Sequence, residues 1–133
     1  VDGAAAHIMR TVGIDLCVVG CDRVAANGDT ANKVGTKMLA LLAHSAGKPF
    51  YIAAPSSSFD LACADGGGIV IEERDGEEVR SFGTCRAAPR GVPVYNPAFD
   101  ATSARLITAF VTERGVIRPP FGRSIKRTLG RTA

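Results

Sequence analysis

The residues around which this chain is organised read Gly20-Cys21-Asp22-Arg23-Val24-Ala25-Ala26-Asn27-Gly28-Asp29-Thr30-Ala31-Asn32-Lys33-Val34-Gly35-Thr36. They join an apolar run to an amphipathic segment through a loop of small residues with acids, amides and a lysine. A few convergent polar groups at the end of a strand are typical of a site for a polar ligand. The stretch therefore predicts the local fold and the position of the function together.

A strand, a helix and a second strand are predicted around this stretch. Ile14 to Gly20 is a nearly continuous apolar run, the pattern of a strand covered on both faces. From Thr30 onward apolar residues recur at helical spacing, and Gly47 supplies the stop. Phe50 to Ala54 is the second apolar run. This order predicts a right-handed βαβ unit with parallel strands, and hence an α/β fold.

Further elements are predicted from shorter patterns elsewhere in the chain. They are a helix capped by Asp2 and ended by Gly13, a turn at Ser56–Ser58, a strand at Ile69–Ile71, a strand from Val94 that stops at Pro97, and a helix capped by Thr102 or Ser103 and ended by Gly115.

The positive charge of the chain is concentrated at its C-terminus. The formal net charge is +3, but five of the 16 Lys and Arg residues lie between Arg118 and Ala133, where there is no acid. The rest of the chain is slightly acidic, so no nucleic-acid partner is expected for the folded part. We predict one domain over residues 1–121 and a basic, disordered tail over residues 122–133.

The four cysteines favour free thiols over a metal site. Cys17, Cys21, Cys63 and Cys85 form no CxxC motif, and neither histidine lies in a ligand pattern. No apolar run reaches the roughly 18 residues that a membrane helix needs. A cytoplasmic protein with no metal and no membrane partner is expected. Because the chain begins with Val1, we interpret it as the later part of a longer protein.

Asp22 is the candidate catalytic residue. It lies two residues past the first predicted strand, and ligands of doubly wound sheets bind beyond the carboxyl ends of the strands. A carboxylate at that edge can exchange protons with a substrate. The alternative is that Asp22 only caps the loop or pairs with Arg23.

Asn32 and Lys33 are the candidate substrate-binding residues. They are predicted to lie in the first turn of the helix, where free N–H groups and the helix dipole attract anions. Asn32 can bind a phosphate or hydroxyl oxygen, and Lys33 offers the opposite charge. In the alternative, Asp29 is the N-cap and Lys33 is a solvated side chain, but this leaves Asn32, a poor helix former, unexplained. Neither a Walker loop nor a GxGxxG turn is present.

These motifs resemble a known family when they are taken in order. The matching segments are Gly20 to Thr36, Pro49-Phe50-Tyr51-Ile52-Ala53-Ala54-Pro55, Ile71-Glu72-Glu73-Arg74, Val94-Tyr95-Asn96-Pro97-Ala98-Phe99-Asp100 and Gly115-Val116-Ile117-Arg118-Pro119-Pro120-Phe121. They closely resemble methylthioribose-1-phosphate isomerase, over a range from about Asp2 to Phe121. The wider superfamily includes regulatory subunits of a translation-initiation exchange factor, which generally lack the full Ala-Asn-Gly-Asp-x-Ala-Asn-Lys run.

The resemblance implies a fold, an activity and roles for three residues. The fold is a Rossmann-like three-layer sandwich with a mostly parallel sheet. The activity is the cofactor-free aldose–ketose isomerisation of 5-methylthioribose 1-phosphate to 5-methylthioribulose 1-phosphate in methionine salvage. Asp22 matches the catalytic acid/base, and Asn32 and Lys33 match positions that contact the substrate. A homodimer formed through this half of the protein is implied as well.

Two departures from the family limit this interpretation. Cys21 stands where the family usually has Ala, which puts a thiol beside Asp22. The catalytic cysteine and the phosphate-binding arginines of the family belong to an N-terminal part that has no counterpart here. We therefore interpret the chain as the C-terminal part of the enzyme, inactive without the N-terminal part of the same protein.

Two alternatives remain open at this point. One is an isomerase of another pentose phosphate, ribose 1,5-bisphosphate or 5-deoxyribose 1-phosphate. The other is a non-catalytic relative of the regulatory subunits that binds a sugar phosphate.

Overall fold

The computed structural model describes residues 1–130. The helices are α1 (Ala5–Ile8), α2 (Thr36–Ser45), α3 (Glu77–Arg80) and α4 (Phe121–Leu129). The strands are β1 (Cys17–Val19), β2 (Arg23–Ala25), β3 (Thr30–Lys33), β4 (Phe50–Ala53), β5 (Phe59–Asp60), β6 (Ser81–Phe82), β7 (Cys85–Arg86), β8 (Phe99–Thr102), β9 (Ala109–Thr112) and β10 (Gly115–Ile117). None of the helices within residues 1–130 is both long and apolar enough to cross a membrane.

The first sheet has the strand order β1-β4-β9-β10 and is mostly parallel. β1 pairs with β4 with Cys17 opposite Phe50, and β4 pairs with β9 with Ile52 opposite Phe110, both in parallel. β10 returns antiparallel to β9. The prediction of an α/β fold with parallel strands on either side of α2 is confirmed.

A second sheet has the order β5-β2-β3-β8, and its two central strands lie within the stretch that was predicted as a loop. β2 and β3 form an antiparallel hairpin around the turn Asn27-Gly28-Asp29. Gly28 has φ +93°, and a Cβ at this position would lie 2.8 Å from Cβ of Phe121. The turn therefore needs glycine for two reasons, its left-handed backbone and its close contact with α4.

The helix after this stretch begins later than predicted. Asn32 and Lys33 lie on β3, opposite Asp100 and Phe99 of β8, and α2 starts only at Thr36. The prediction that they occupy the first turn of the helix is therefore wrong. Gly35 causes the difference, because its φ of +106° turns the chain out of the strand before a helix can form. The predicted stop at Gly47 agrees with its φ of +65°.

One apolar cluster joins the first sheet, the second sheet and two helices. It contains Ala40 and Ala43 of α2, Phe50 and Ile52 of β4, Phe110 of β9 and Phe121 and Ile125 of α4, together with Val24, Ala54, Ile107 and Ile117. Phe110 is at its centre, because its ring packs edge-on against Phe59 at 5.4 Å and against Phe121 at 4.9 Å. This cluster fixes β2 of the second sheet against the end of the first.

The C-terminal segment is a packed helix over most of its length. In α4, Phe121 and Ile125 are buried, whereas the basic side chains Arg123, Lys126 and Arg127 face outward. The prediction of a disordered tail from residue 122 is wrong for residues 122–129, and residues 131–133 lie outside the described residues. Phe121, Ile125 and Leu129 recur every four residues, so one narrow apolar stripe suffices to hold a helix that is otherwise basic.

Other short elements also differ from prediction. The helix predicted after Ser103 is a 3₁₀ turn at Ala104–Leu106 followed by β9 and β10, since Phe110 is buried as part of the parallel sheet. No strand forms at Ile69–Ile71, and β8 begins at Phe99 instead of Val94. The first helical segment does run from Asp2 to Gly13, but Asp2 makes no capping bond. Ser56–Ser58 is a 3₁₀ turn, as predicted.

Candidate functional site

Asp22 lies where the first sheet passes into the second. β1 ends at Val19 and β2 begins at Arg23, so Asp22 follows the carboxyl end of a parallel strand. The end of β4 meets the same edge, because the Ser58 hydroxyl donates to the carbonyl oxygen of Cys21 over 3.3 Å. This is the edge at which open α/β sheets bind ligands.

The backbone at Asp22 departs from regular pairing. Arg23 is the register partner of Ala31, yet the N–H of Asp22 also donates to the Ala31 carbonyl oxygen, at 3.0 Å. Asp22 and the first residue of β2 thus both face Ala31 of β3, which is the arrangement of a β-bulge. Bulges redirect a side chain relative to the pleat, and here the redirected side chain is the candidate carboxylate.

Asp22 borders a hollow of about 280 Å³, which we call the Asp22 hollow. Its lining consists of Asp22, Arg23, Ala31, Ile69, Val70 and Phe99. The ammonium group of Lys33 lies 4.7 Å from the centre of the Phe99 ring, a cation–π distance. Phe99 therefore lines the hollow with Asp22 and also contacts the candidate phosphate-binding lysine, and the lining itself contains a carboxylate and one cation, Arg23.

Asn32 is held close to this hollow but does not line it. Its side-chain amide donates to the Thr36 hydroxyl at 3.0 Å, and that hydroxyl donates to the Lys33 carbonyl oxygen at 2.8 Å. Side chains alternate along β3, so Asn32 faces the opposite side of the sheet from Ala31 and Lys33. Of the three predicted site residues, Asp22 lines the hollow and Lys33 contacts the Phe99 side chain of its lining, whereas Asn32 stabilises the turn that follows.

The anion site predicted at the start of α2 is already filled by the protein. The carboxylate of Asp100, on β8, accepts hydrogen bonds from the N–H groups of Gly35 at 2.8 Å and Lys37 at 2.9 Å. These are the free donors that a phosphate would need, and a carboxylate satisfies them equally well. A phosphate bound near the Asp22 hollow would therefore have to rely on side chains such as Lys33 and Arg23.

Arg23 is a site residue that the sequence reasoning considered only as a partner for Asp22. It lines the Asp22 hollow, and its guanidinium lies 3.6 Å from the carboxylate of Asp60, with both side chains partly exposed. The sequence did contain a signal for this position. Asn27-Gly28 is typical of a hairpin turn, and a hairpin around it places Arg23 opposite Ala31. Phe99 and Ile69 join from distant parts of the chain, and no local pattern indicates them.

The thiol of Cys21 contacts the backbone of the bulge. Its sulfur lies 3.0 Å from the carbonyl oxygen of Arg23 and 3.5 Å from that of Ala31, and the thiol donates to them. Burial, and to a smaller extent the charge of Asp22, raises the pKa of the Cys21 thiol to about 12. The thiol stays protonated at neutral pH and acts as a donor to the backbone that carries Asp22, so it has no nucleophilic role there.

Asp29, in the hairpin turn, links this turn to the segments around Gly66 and Ala104. Its carboxylate accepts from the side chain of Asn27 at 2.8 Å, the N–H of Gly66 at 3.0 Å and the N–H of Ala104 at 2.8 Å. Burial alone would raise the pKa of Asp29, but these donors, with Arg105 nearby, outweigh it and lower that pKa below its ordinary value. Asp29 is therefore a structural acceptor, not an N-cap of α2.

A larger hollow of about 750 Å³ lies on another side of the molecule. It is bordered by Lys37, Leu41 and His44 of α2 and by Arg105, with Asp29 at one side. None of Asp22, Asn32 or Lys33 lines it. The candidate chemistry thus belongs to the smaller hollow, where the redirected carboxylate is.

The chain is similar in sequence to several isomerases. It is 58% identical over 120 residues to methylthioribose-1-phosphate isomerase of Heliobacterium modesticaldum, a match that covers 90% of this chain and 35% of the relative. It is 54% identical over 129 residues to the enzyme of the same name from Desulforudis audaxviator, covering 97% of this chain and 37% of the relative. The chain thus spans little more than a third of the length of these curated relatives.

Two solved structures superpose closely on the chain. 5-Methylthioribose 1-phosphate isomerase from Pyrococcus horikoshii OT3 superposes with a TM-score of 0.92 at 51% identity, over 97% of this chain and 36% of that one. The delta subunit of translation initiation factor eIF-2B from A. fulgidus superposes with a TM-score of 0.91 at 38% identity, over 98% of this chain and 38% of that one. The profile of the initiation factor 2 subunit family matches residues 1–119, and the chain belongs to that family.

Proposed function

We propose that the chain is the C-terminal, catalytic part of a cofactor-free isomerase that converts 5-methylthioribose 1-phosphate to 5-methylthioribulose 1-phosphate. One observation carries the proposal, namely that Asp22 lines a hollow together with Arg23 and with Phe99, over whose ring the ammonium group of Lys33 lies. Relatives at 54% and 58% identity bear the name of this enzyme, which supports the same reaction.

The reaction needs one group that can both donate and accept a proton. The anomeric carbon carries the phosphate, so the ring opens by breaking its bond to the ring oxygen, which keeps the electron pair and takes up a proton. The hydrogen on C2 then moves to C1, and the C2 hydroxyl loses its proton as C2 becomes a carbonyl. One proton is taken up and one is released, so a single carboxyl group returns to its starting state.

The three site residues have distinct proposed roles. Asp22 donates the proton to the ring oxygen and accepts the proton from the C2 hydroxyl. Lys33 binds the phosphate as a point charge, with its ammonium held over the Phe99 ring. Asn32 acts on the site through the turn at Thr36, because its amide donates to the hydroxyl of that residue.

The remainder of the site is proposed to come from the N-terminal part of the same protein. The outer face of the first sheet supports this, since Val18, Val111 and Val116 share that face and are 59%, 43% and 54% exposed. A sheet with parallel strands is normally covered on both faces. The preceding part of the chain is the proposed cover, and it would bring further groups to the edge where Asp22 lies.

Two further expectations about the whole protein remain proposals. A homodimer is expected from the family resemblance, and light scattering of the full-length protein tests it. A cytoplasmic location is also expected, and the four unpaired cysteines of the described residues suit a reducing compartment.

The decisive experiment compares two aspartate variants of the full-length protein. Asp22→Asn should abolish conversion of methylthioribose 1-phosphate, followed by ³¹P NMR, while the substrate still binds in calorimetry. Asp75→Asn is the matched control, because the Asp75 carboxylate accepts from the N–H of Glu77 on the short helix α3, away from the Asp22 hollow, and its turnover should equal that of the wild type. Normal turnover by Asp22→Asn would remove this residue from the mechanism.

A non-catalytic binding protein is the second candidate. The TM-score of 0.91 with an eIF-2B delta subunit is the observation that favours it. In that case the full-length protein would bind a sugar phosphate in calorimetry and release no product over any incubation time.

A further inference from the structure

Asn27 and Gly28, in the turn between β2 and β3, form a sequence in which asparagine is readily converted to aspartate. The backbone nitrogen of the following residue can attack the side-chain amide carbon of an asparagine, and glycine leaves this approach unhindered because it has no Cβ. Of the three asparagines in the chain, Asn27 alone precedes a glycine, whereas Asn32 precedes a lysine and Asn96 a proline. Asn27 is also exposed, so water can reach its side chain.

The folded turn keeps both reacting groups engaged. The N–H of Gly28 donates to the Ala25 carbonyl oxygen at 2.9 Å. The side chain of Asn27 makes two hydrogen bonds of 2.8 Å with Asp29, in which its oxygen accepts from the N–H and its amide donates to the carboxylate. The attack needs the Gly28 nitrogen to leave Ala25 and to face the amide carbon of Asn27. The reaction therefore proceeds from conformations in which the turn has opened.

We propose that Asn27 is a site of spontaneous deamidation, that opening of the hairpin turn sets its rate, and that the product disturbs the Asp22 hollow. The proposal stands on the turn itself, and only its effect on turnover rests on the proposed function.

The chemistry needs water and no other co-reactant. The Gly28 nitrogen bonds to the side-chain carbonyl carbon of Asn27, and the bond from that carbon to the amide nitrogen breaks. The amide nitrogen leaves as ammonia with the proton that Gly28 loses. Water then opens the resulting cyclic imide, at one carbonyl to give aspartate and at the other to give isoaspartate. One water molecule is consumed and one ammonia is released, and no group is oxidised or reduced.

A carboxylate at position 27 would act against Asp29. The amide group that donates to Asp29 would be replaced by an oxygen that cannot donate, and two negative charges would face each other where a hydrogen bond of 2.8 Å now lies. Like charges in contact destabilise each other. Asp29 also accepts from the N–H groups of Gly66 and Ala104, so the deamidated turn should loosen from both segments.

Isoaspartate would in addition lengthen the turn. Its main chain runs through the former side chain, which inserts one extra atom between residues 27 and 28. The register of a hairpin is fixed by the length of its turn, and this hairpin pairs Arg23 with Ala31. Because the N–H of Asp22 also donates to the Ala31 carbonyl oxygen, a changed register moves the candidate catalytic carboxylate.

The first measurement follows the conversion of Asn27 in the full-length protein by peptide mapping with mass spectrometry. The folded protein is compared with the same protein in guanidinium chloride at the same mildly alkaline pH. We expect conversion to be at least about tenfold slower in the folded protein, since opening the turn breaks several hydrogen bonds. Asn32 is the internal control and should convert more slowly than Asn27 in the denatured chain. Equal rates for Asn27 in both states would overturn the role of the turn, and a denatured chain in which Asn27 converts no faster than Asn32 would overturn the site.

Two variants test whether Asp29 holds the turn closed. Asp29→Asn keeps the shape of the side chain but replaces the charged acceptor by a weaker, neutral one, and it should speed the conversion of Asn27 in the folded protein several-fold. Asp75→Asn is the matched control, because Asp75 accepts from the N–H of Glu77 at the short helix α3, and it should leave the rate at Asn27 unchanged. Equal rates in the two folded variants would contradict the assignment.

Turnover measures the effect on the Asp22 hollow. Asn27→Asp installs one product and should lower kcat/KM for methylthioribose 1-phosphate by roughly tenfold, because small displacements of a catalytic group are costly. Asn27→Ser cannot deamidate, and its hydroxyl can accept from the N–H of residue 29. It should keep its activity through an incubation in which the wild type loses activity in step with the conversion of Asn27.

The outcomes separate this proposal from the proposed function. Full activity of both Asn27→Asp and the deamidated wild type would overturn the effect on the hollow and leave the isomerase intact. No turnover by the unmodified wild type would overturn the proposed function, and the conversion rates would still decide whether Asn27 is a deamidation site controlled by the turn.

Discussion

Asp29 illustrates how much a single carboxylate stabilises in this molecule. Two hydrogen bonds fasten the hairpin turn to the Gly66 turn and to the Ala104 turn, and a third, from Asn27, lies within the hairpin turn itself. Hydrogen bonds to a charged group contribute more than neutral ones, and a donor left without its partner costs further free energy. The residues around Asp22 thus depend on an acid that has no part in the proposed chemistry.

Replacing Asp29 by Asn should lower the free energy of unfolding of the chain by about 1 to 3 kcal/mol at pH 7. The pKa of Asp29 is lowered by folding, so its contribution is fully present above the ordinary carboxyl pKa of about 4 and is lost as the pH falls through the folded-state value. Denaturant unfolding at pH 7 and at successively lower pH measures this. The gap between wild type and variant should narrow with acidification, and a gap that widens would contradict the assignment.

Cys21 should resist alkylation under conditions in which Cys85 reacts. With a thiol pKa of about 12, Cys21 is ionised at pH 8 to the order of one part in ten thousand, whereas Cys85 is exposed. Mass spectrometry after timed iodoacetamide treatment gives the rate at each site, and the denatured chain, in which all four cysteines should react, is the control. Equal rates for Cys21 and Cys85 in the folded chain would rule out the thiol as a buried backbone donor.

The start of helix α2 is held by a residue of another element. Its N-terminal donors at Gly35 and Lys37 are satisfied by Asp100, which belongs to β8, more than 60 residues further along the chain. The same strand supplies Phe99, over which the ammonium of Lys33 lies. β8 therefore determines where the helix begins and where the candidate phosphate-binding lysine points.

Substituting Asp100 by Ala should lower the free energy of unfolding by about 1 to 2 kcal/mol, the usual cost of losing a helix cap. Asp100→Asn retains one acceptor oxygen and should cost less. Amide hydrogen exchange provides the local measurement, with faster exchange expected at Gly35 and Lys37. Asp75→Ala removes a cap from the short, exposed helix α3 and should have a smaller effect on stability; equal losses in both variants would mean that Asp100 does not hold α2.

Continuous apolar runs were enough to predict β1 and β4, and apolar residues at helical spacing were enough to predict α2, although one face of β1 is exposed in the described residues. The second sheet was missed, since β2 and β3 are short and are built from small residues. Asn27-Gly28 was a usable signal for that hairpin. The beginning of α2, by contrast, depends on Asp100, and the apolar wall of the Asp22 hollow depends on Ile69 and Phe99, so both required long-range contacts that local patterns do not contain.

At the scale of the molecule, one face of the first sheet is not covered by the described residues. The outer face of the first sheet exposes valines from β1, β9 and β10, and the Asp22 hollow, at about 280 Å³, is small for a pocket that encloses a sugar phosphate. Both features lie at or next to the edge where the parallel strands end. A catalytic site completed by another part of the protein accounts for both.

The 133-residue chain on its own should therefore show no isomerisation of methylthioribose 1-phosphate, because Asp22 and Lys33 lack the groups that would enclose the substrate. The full-length protein, assayed by ³¹P NMR at the same concentration, should convert it. Detectable product from the isolated chain would mean that the described residues form a sufficient active site, and the proposed division of the site would be abandoned.

The contact between Gly28 and Phe121 also constrains how homologous sequences can diverge. A β-carbon at position 28 would overlap the aromatic side chain at position 121, although the two residues lie in separate elements. Substitutions at these positions are therefore expected to covary across the family, with residues other than glycine at 28 found only beside a smaller partner at 121. Helix α4 would thus evolve together with the turn that follows the candidate catalytic acid.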